Sequence, residues 1–209
     1  MDSPATPPEP RLLSVNTGKV RMLVAGDRTV PSGFRRAPVG GAVAVGTLGL
    51  EGDEHGDLKV HGGIDKAVYA CPVEHYPFWQ SQRREHGVAL PGETLAPGFL
   101  GENLTVSGLM EQSVWIGDEL HFPDCVLRVT MPRQPCFKFN AVLGFSQAAR
   151  TMMQAGLSGF YLAVKEPGSI CAGQPVRLVA GPRAQSVAEC LDELRVKWRL
   201  KVPGAPVEP

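Results

Sequence analysis

Cys136 is the residue whose surroundings are best arranged for chemistry. It lies in Arg133-Gln134-Pro135-Cys136-Phe137-Lys138-Phe139, with one cation three residues before it and another two residues after it. Nearby positive charge favours the thiolate, the form of cysteine that attacks electrophiles and binds soft metals. Pro132 ends the preceding strand and Pro135 fixes the backbone just ahead of the thiol. A buried structural cysteine is the bland alternative. The crowding of two cations and two prolines into one short segment favours function. Cys71, Cys125, Cys171 and Cys190 have no such company. An odd number of cysteines without a C-x-x-C pair argues against a disulfide framework and against a zinc knuckle.

Two glycine-rich stretches could form a binding surface. Gly49-Leu50-Glu51-Gly52-Asp53 precedes His61-Gly62-Gly63-Ile64-Asp65-Lys66-Ala67-Val68. Paired glycines let backbone N–H groups close on an anion, and His61, Asp65 and Lys66 add titratable groups within one turn. A phosphate-bearing cofactor would suit this pattern, and a plain turn with a solvated Asp-Lys pair fits it equally well. A zinc site from His55, His61, Cys71 and His75 is conceivable, but the spacing matches no trusted ligand pattern. In Gly98-Phe99-Leu100-Gly101-Glu102-Asn103-Leu104, Glu102 and Asn103 either orient a neighbouring loop or reach into a site, with the loop role favoured.

The elements that must hold these residues are mostly strands. Short β-rich runs start at Leu12, Val20, Ala42, Asn103, Glu119, Val126, Phe160 and Val176, and turn residues separate nearly all of them. Helical pattern is expected in Glu74 to His86 from about Pro77, and in Ser146 to Ala155 with Gly156 as C-cap. A third helix starts at the capping box Ser186-Val187-Ala188-Glu189 and puts Val187, Leu191, Leu194 and Trp198 on one face. These patterns predict a mainly β fold, a barrel or sandwich with a few peripheral helices. The expected organisation is a proline-rich disordered tail over residues 1–10, a β domain over 11–182, a C-terminal helix over 183–202 and a second disordered tail over 203–209.

Composition removes several function classes. The 209-residue chain has 21 Lys plus Arg against 21 Asp plus Glu, so no overall basic field draws it to nucleic acid or anionic lipid. Its weakly polar stretch from Val39 to Leu50 is glycine-broken and shorter than the roughly 20 residues of a membrane-spanning helix. Met1-Asp2-Ser3-Pro4 lacks the start of a signal peptide, which predicts a cytoplasmic protein.

Taken in order, the motifs resemble the MOSC-domain family, named for the C-terminal domain of molybdenum cofactor sulfurase. The carriers are Ser32-Gly33-Phe34-Arg35-Arg36-Ala37-Pro38-Val39, the two stretches at 49–53 and 61–68, Gly101-Glu102-Asn103-Leu104, Ile116-Gly117-Asp118, the segment 132–139 and Gly159-Phe160-Tyr161-Leu162. The Ser-Gly and Gly-Phe-Tyr-Leu elements look most like the stand-alone bacterial branch associated with resistance to N-hydroxylated purines. The resemblance implies a closed β-barrel, a molybdenum cofactor (molybdopterin) and Cys136 as the metal ligand. It implies reduction of N-hydroxylated compounds, with Asp65 or His61 as the acid beside Cys136. Arg36, His61, Gly62, Gly63, Lys66, Asn103, Arg133 and Lys138 are the expected cofactor contacts. Nothing in the sequence carries electrons by itself, so an external electron-donor protein is expected, and a homodimer is left open. A module carrying sulfur as a Cys136 persulfide is the competing reading. At position 71 the resemblance leads one to expect an aromatic residue where this chain has Cys71.

Overall fold

The computed structural model describes residues 9–56 and 62–198. Its framework is an eight-stranded sheet. In chain order the strands that build it are β1 (Arg11–Thr17), β4 (Ala37–Pro38), β7 (Val68–Pro72), β8 (Leu104–Ser107), β9 (Glu119–His121), β10 (Val126–Pro132), β11 (Phe160–Glu166) and β13 (Arg177–Val179). They lie in the order β13-β9-β10-β11-β7-β8-β1-β4. The pairings are antiparallel except that β7 runs parallel to β8. A hairpin of β2 (Arg21–Ala25) and β3 (Arg28–Ser32) stands beside this sheet. A small sheet holds β5 (Val43–Gly46), β6 (Gly49–Leu50) and β12 (Gly168–Ile170).

Apolar residues on one face of the central strands explain why the sheet holds. Leu12, Val15, Val68, Leu104, Val106, Leu127, Val129, Phe160 and Leu162 are all buried in one cluster. Each fully buried residue of this size contributes about 1.5–3 kcal/mol relative to exposure. A second cluster of Tyr69, Tyr76, Trp79, Leu100, Phe139, Leu143 and Met152 supports the candidate site.

Four α-helices are present among the described residues: α1 (Tyr76–Glu85), α2 (Phe137–Leu143), α3 (Ala148–Ala155) and α4 (Val187–Lys197). The expected start near Pro77, the left-handed cap at Gly156 and the Ser186–Glu189 capping box are all found. Trp198, expected on the apolar face of α4, is 37% exposed. Helix α2 is not among the expected helices. Phe137-Lys138-Phe139 alternates as a strand would, but Phe139 and Leu143, four apart, both bury in the second cluster and the turn closes at left-handed Gly144.

The fold is mainly β with a few helices, as expected, but the barrel is not closed. The sheet ends at β13 and β4, and what meets across the gap is the start of β1 and the segment just before β13, through an isolated bridge between Arg11 and Pro175 and the flanking Leu12–Gln174, Gly173–Leu12 and Val176–Pro10 backbone bonds. Pro175 has no N–H to extend a ladder, and the same edge of β1 is taken by β4 at Asn16 and Thr17. The expected tail over 203–209, residues 1–8 of the N-terminal tail and the end of the expected C-terminal helix lie outside the described residues. No described helix is long and apolar enough to cross a membrane.

Candidate functional site

Cys136 is presented by the junction of β10 and α2, for which it is the N-cap in extended conformation. Toward this end the β10–β11 register slips between Val129 and Met131. Such a bulge bends a strand and re-aims the residues beyond it. Thr130, at the slip, donates its hydroxyl to the Asp65 carbonyl at 2.6 Å and to that of Tyr161 at 3.1 Å. The turn before β11 fixes the other side. The Arg133 N–H donates to the Gly159 carbonyl, Gly159 N–H donates to Glu111 and the Tyr69 hydroxyl donates to the Ser158 carbonyl. Gly159 has φ 65°, and a Cβ there would meet the Ala70 carbonyl oxygen at 2.3 Å, so no larger residue fits this turn.

A cleft opens in front of Cys136, with about 590 Å³ of empty space when the solvent at its open mouth is counted. Arg36, Gly62, Lys66, Asn103, Arg133 and Lys138 line it together with the cysteine, so the fold gathers these sequence candidates from separate segments of the chain. Gly63 and Asp65 are exposed and do not line it, and His61 lies outside the described residues. The backbone carbonyl of Asp65 is held by the Thr130 hydroxyl. Sequence reasoning missed Phe34, His55, Tyr69 and Tyr161 as lining residues. Phe34 and Tyr161 belong to motifs singled out in the sequence and His55 to the zinc alternative, while nothing local marks Tyr69. Among the described residues no three His, Cys, Asp or Glu side chains gather to hold a metal, and His61 of the zinc alternative lies outside them.

Two arginines play different parts. Arg36 grips Asp53 with a fork, Nε to Oδ1 at 2.8 Å and a terminal nitrogen to Oδ2 at 2.7 Å, and also donates to the Gly101 carbonyl. Asn103 donates to the same Asp53 at 2.9 Å and accepts from the Tyr69 N–H at 3.1 Å. Both candidates therefore tie loops together as well as lining the cleft. Arg133 is 5% exposed, and its guanidinium lies 5.3, 5.0 and 4.8 Å from the ring centres of Phe34, Tyr69 and Phe139. A terminal nitrogen reaches Met152 Sδ at 3.1 Å, and no carboxylate of a described residue pairs with it. Lys138 donates to the Pro31 carbonyl at 2.9 Å, which pins α2 to the hairpin. Lys66 Nζ stands 5.9 Å from the Tyr161 ring centre. Burial raises the phenol pKa of both Tyr69 and Tyr161.

Behind the lining lies a fully buried polar layer. Cys71 Sγ is 3.6 Å from His75 Nδ1, and His75 Nε2 is 3.1 Å from Glu111. The thiol does not line the cleft, and burial pushes its pKa well up. Glu102 accepts at Oε1 from the Gly98 N–H (2.7 Å), the Thr105 hydroxyl (2.8 Å) and the Tyr76 hydroxyl, while Oε2 has no partner among the described residues. Burial raises the Glu102 pKa against these donors. A folded carboxyl that holds its proton more tightly than the unfolded one gives stability that is full below the unfolded pKa and is lost as pH rises through the folded pKa. Glu102→Gln keeps the accepting oxygen and removes the ionisation. In urea unfolding the variant should lie within about 1 kcal/mol of wild type near pH 5 and gain on it as pH rises to about 8. A difference that stays flat with pH would refute the buried neutral acid.

Comparison with known proteins gives this cleft a context. A family profile described as the MOSC domain matches residues 57–177. The chain is 38% identical over 169 residues to YflK of Bacillus subtilis, covering 81% of this chain and 73% of that protein. It is 36% identical to YiiM of Escherichia coli, covering 80% and 71%. The chain belongs to the MOSC-domain family.

The crystal structure of YiiM from Geobacillus stearothermophilus superposes with a TM-score of 0.71 at 31% identity, over 90% of this chain and 85% of that one. A protein of Gibberella moniliformis named as a reductase is 30% identical over 87% of this chain, which spans only 31% of it. Within this MOSC protein, the profile covers Cys136, Arg133, Asn103 and Lys66, whereas Arg36, Asp53 and His55 precede it. The cleft thus needs the segment before the matched region for one of its walls.

Proposed function

We propose that this MOSC protein binds a molybdenum cofactor in the Cys136 cleft and reduces N-hydroxylated compounds, working in the cytoplasm with electrons from a separate donor protein. The observation that carries the reading is Arg133, a buried guanidinium caged by three rings and lacking a carboxylate partner among the described residues. A charge taken out of water costs several kcal/mol unless paired, so such a site favours an anionic occupant. The residues fit the group. Cys136 offers a soft thiolate for the metal, and Arg133, Lys66 and Lys138 offer cations for anionic oxygens. When bound, the cofactor would supply a centre that takes two electrons from the donor protein and passes them to the N–O bond. The protein's own share is to hold it, exclude water and deliver protons. The name of the Gibberella relative is consistent with a reductase.

The test is to express wild type and Arg133→Met in a host that makes the cofactor, and to measure molybdenum by elemental analysis and pterin by fluorescence. Wild type should carry both in near-equal amount to protein, and the folded variant at least about tenfold less, a difference of about 1.4 kcal/mol. Wild type free of metal and pterin but bearing a Cys136 persulfide by mass spectrometry would replace this reading with sulfur carriage.

A further inference from the structure

We infer that His55 is the proton relay of the Cys136 cleft, passing protons from an open groove on the other side of its ring. This rests on the reductase reading above. His55 and Glu54 line the cleft and also the neighbouring open groove, which is formed by the β5–β6 hairpin and residues 51–54. The ring is half-buried in the wall between the two spaces, and a Cβ on Gly49 of β6 would lie 3.7 Å from its Cε1. Imidazole is the side chain whose ordinary titration spans neutral pH. His55 is the histidine found in the cleft lining among the described residues; His75 is fully buried behind it, and His86 and His121 do not line it.

The charged groups facing the ring set its behaviour. Burial holds the His55 pKa below its ordinary value, the Arg36 guanidinium lowers it further and Asp53 opposes them. The charge of Glu54, next in the chain, is offset by Lys19, which pairs with it at 3.1 Å. The imidazole is therefore neutral at neutral pH and a strong proton donor once charged. Reduction of an N-hydroxylated amine consumes two protons and two electrons: the N–O bond breaks, the oxygen leaves as water and the nitrogen keeps the second proton. The electrons come from the external donor, of the reduced flavoprotein or iron–sulfur class. His55 gives one proton to the departing oxygen and recovers it from the groove, a role open to neither the exposed Asp65 outside the cleft nor the lysines and arginines, whose side-chain types stay protonated near neutral pH.

The test uses the cofactor-loaded full chain and His55→Gln, with Cys136→Ser as the blank. Turnover by wild type should rise as pH falls through the His55 pKa, whereas the variant should be flat and at least about tenfold slower near pH 6, converging on wild type near pH 8. A second readout is independent of turnover. NMR titration of the cofactor-free protein should place the His55 pKa below the ordinary value of about 6.5, and inorganic phosphate added to it should move that pKa upward as an anion fills the cleft. Wild-type turnover with an unchanged profile in His55→Gln, or a His55 resonance indifferent to phosphate, overturns the relay alone. Wild type no faster than the Cys136→Ser blank overturns the reductase reading and the relay with it.

Discussion

Cys136→Ser should lower reduction of a hydroxylaminopurine by at least about a hundredfold while the protein stays folded. Loss of an outer partner of a metal ligand already costs about 10–100-fold in affinity or activity, and loss of the soft ligand itself costs more. Cys136 is half-buried, is an N-cap without a side-chain capping bond and packs in neither apolar cluster. The thermal midpoint should therefore move little, since substitutions away from such features stay within about 0.5 kcal/mol. Activity with a supplied reductant and circular dichroism on the same samples separate the two effects. Full activity in the serine variant would remove Cys136 from the chemistry.

Asp53→Ala should be the costliest substitution for stability, at about 3–5 kcal/mol. The carboxylate is 1% exposed and receives four bonds, two from Arg36, one from Asn103 and one from the Gly18 N–H. Its removal leaves the Arg36 guanidinium nearly buried and facing a void, and releases Arg36 and Asn103, which line the cleft, together with the Gly18 turn. Asp53→Asn should also destabilise, because an amide must turn a donor toward Arg36 or toward Asn103, both of which are donors there. Urea unfolding checks this, with a lowered midpoint and an unchanged slope. A loss below about 1 kcal/mol would mean that the pair behaves as a solvated surface bridge.

Much of the site could be read along the chain because its parts are local. Arg133, Cys136 and Lys138 share one segment, and Gly62 and Lys66 share another, so residue types and spacing alone raised them. Asp53 appeared only as the end of a glycine motif, because its meaning lies in Arg36 and Asn103, 17 and 50 positions away. His55 suggested a metal ligand and nothing more, since a wall between two spaces has no signature in a single segment. Asp65 shows the reverse. Its motif marked it for the site, and the fold left it exposed and outside the cleft lining.

The sequence by itself determined the mainly β character, three of the four described helices, the family and the cysteine at the centre of the proposal. Alternation, caps and turn residues act over a few positions, and an ordered set of motifs survives without coordinates. The tertiary structure decided the open edge of the sheet, helix α2, the aromatic cage of Arg133 and the Arg36–Asp53 strap. Each of these depends on contacts between distant segments. Their energy comes from burial and pairing that exist only once the chain has closed on itself.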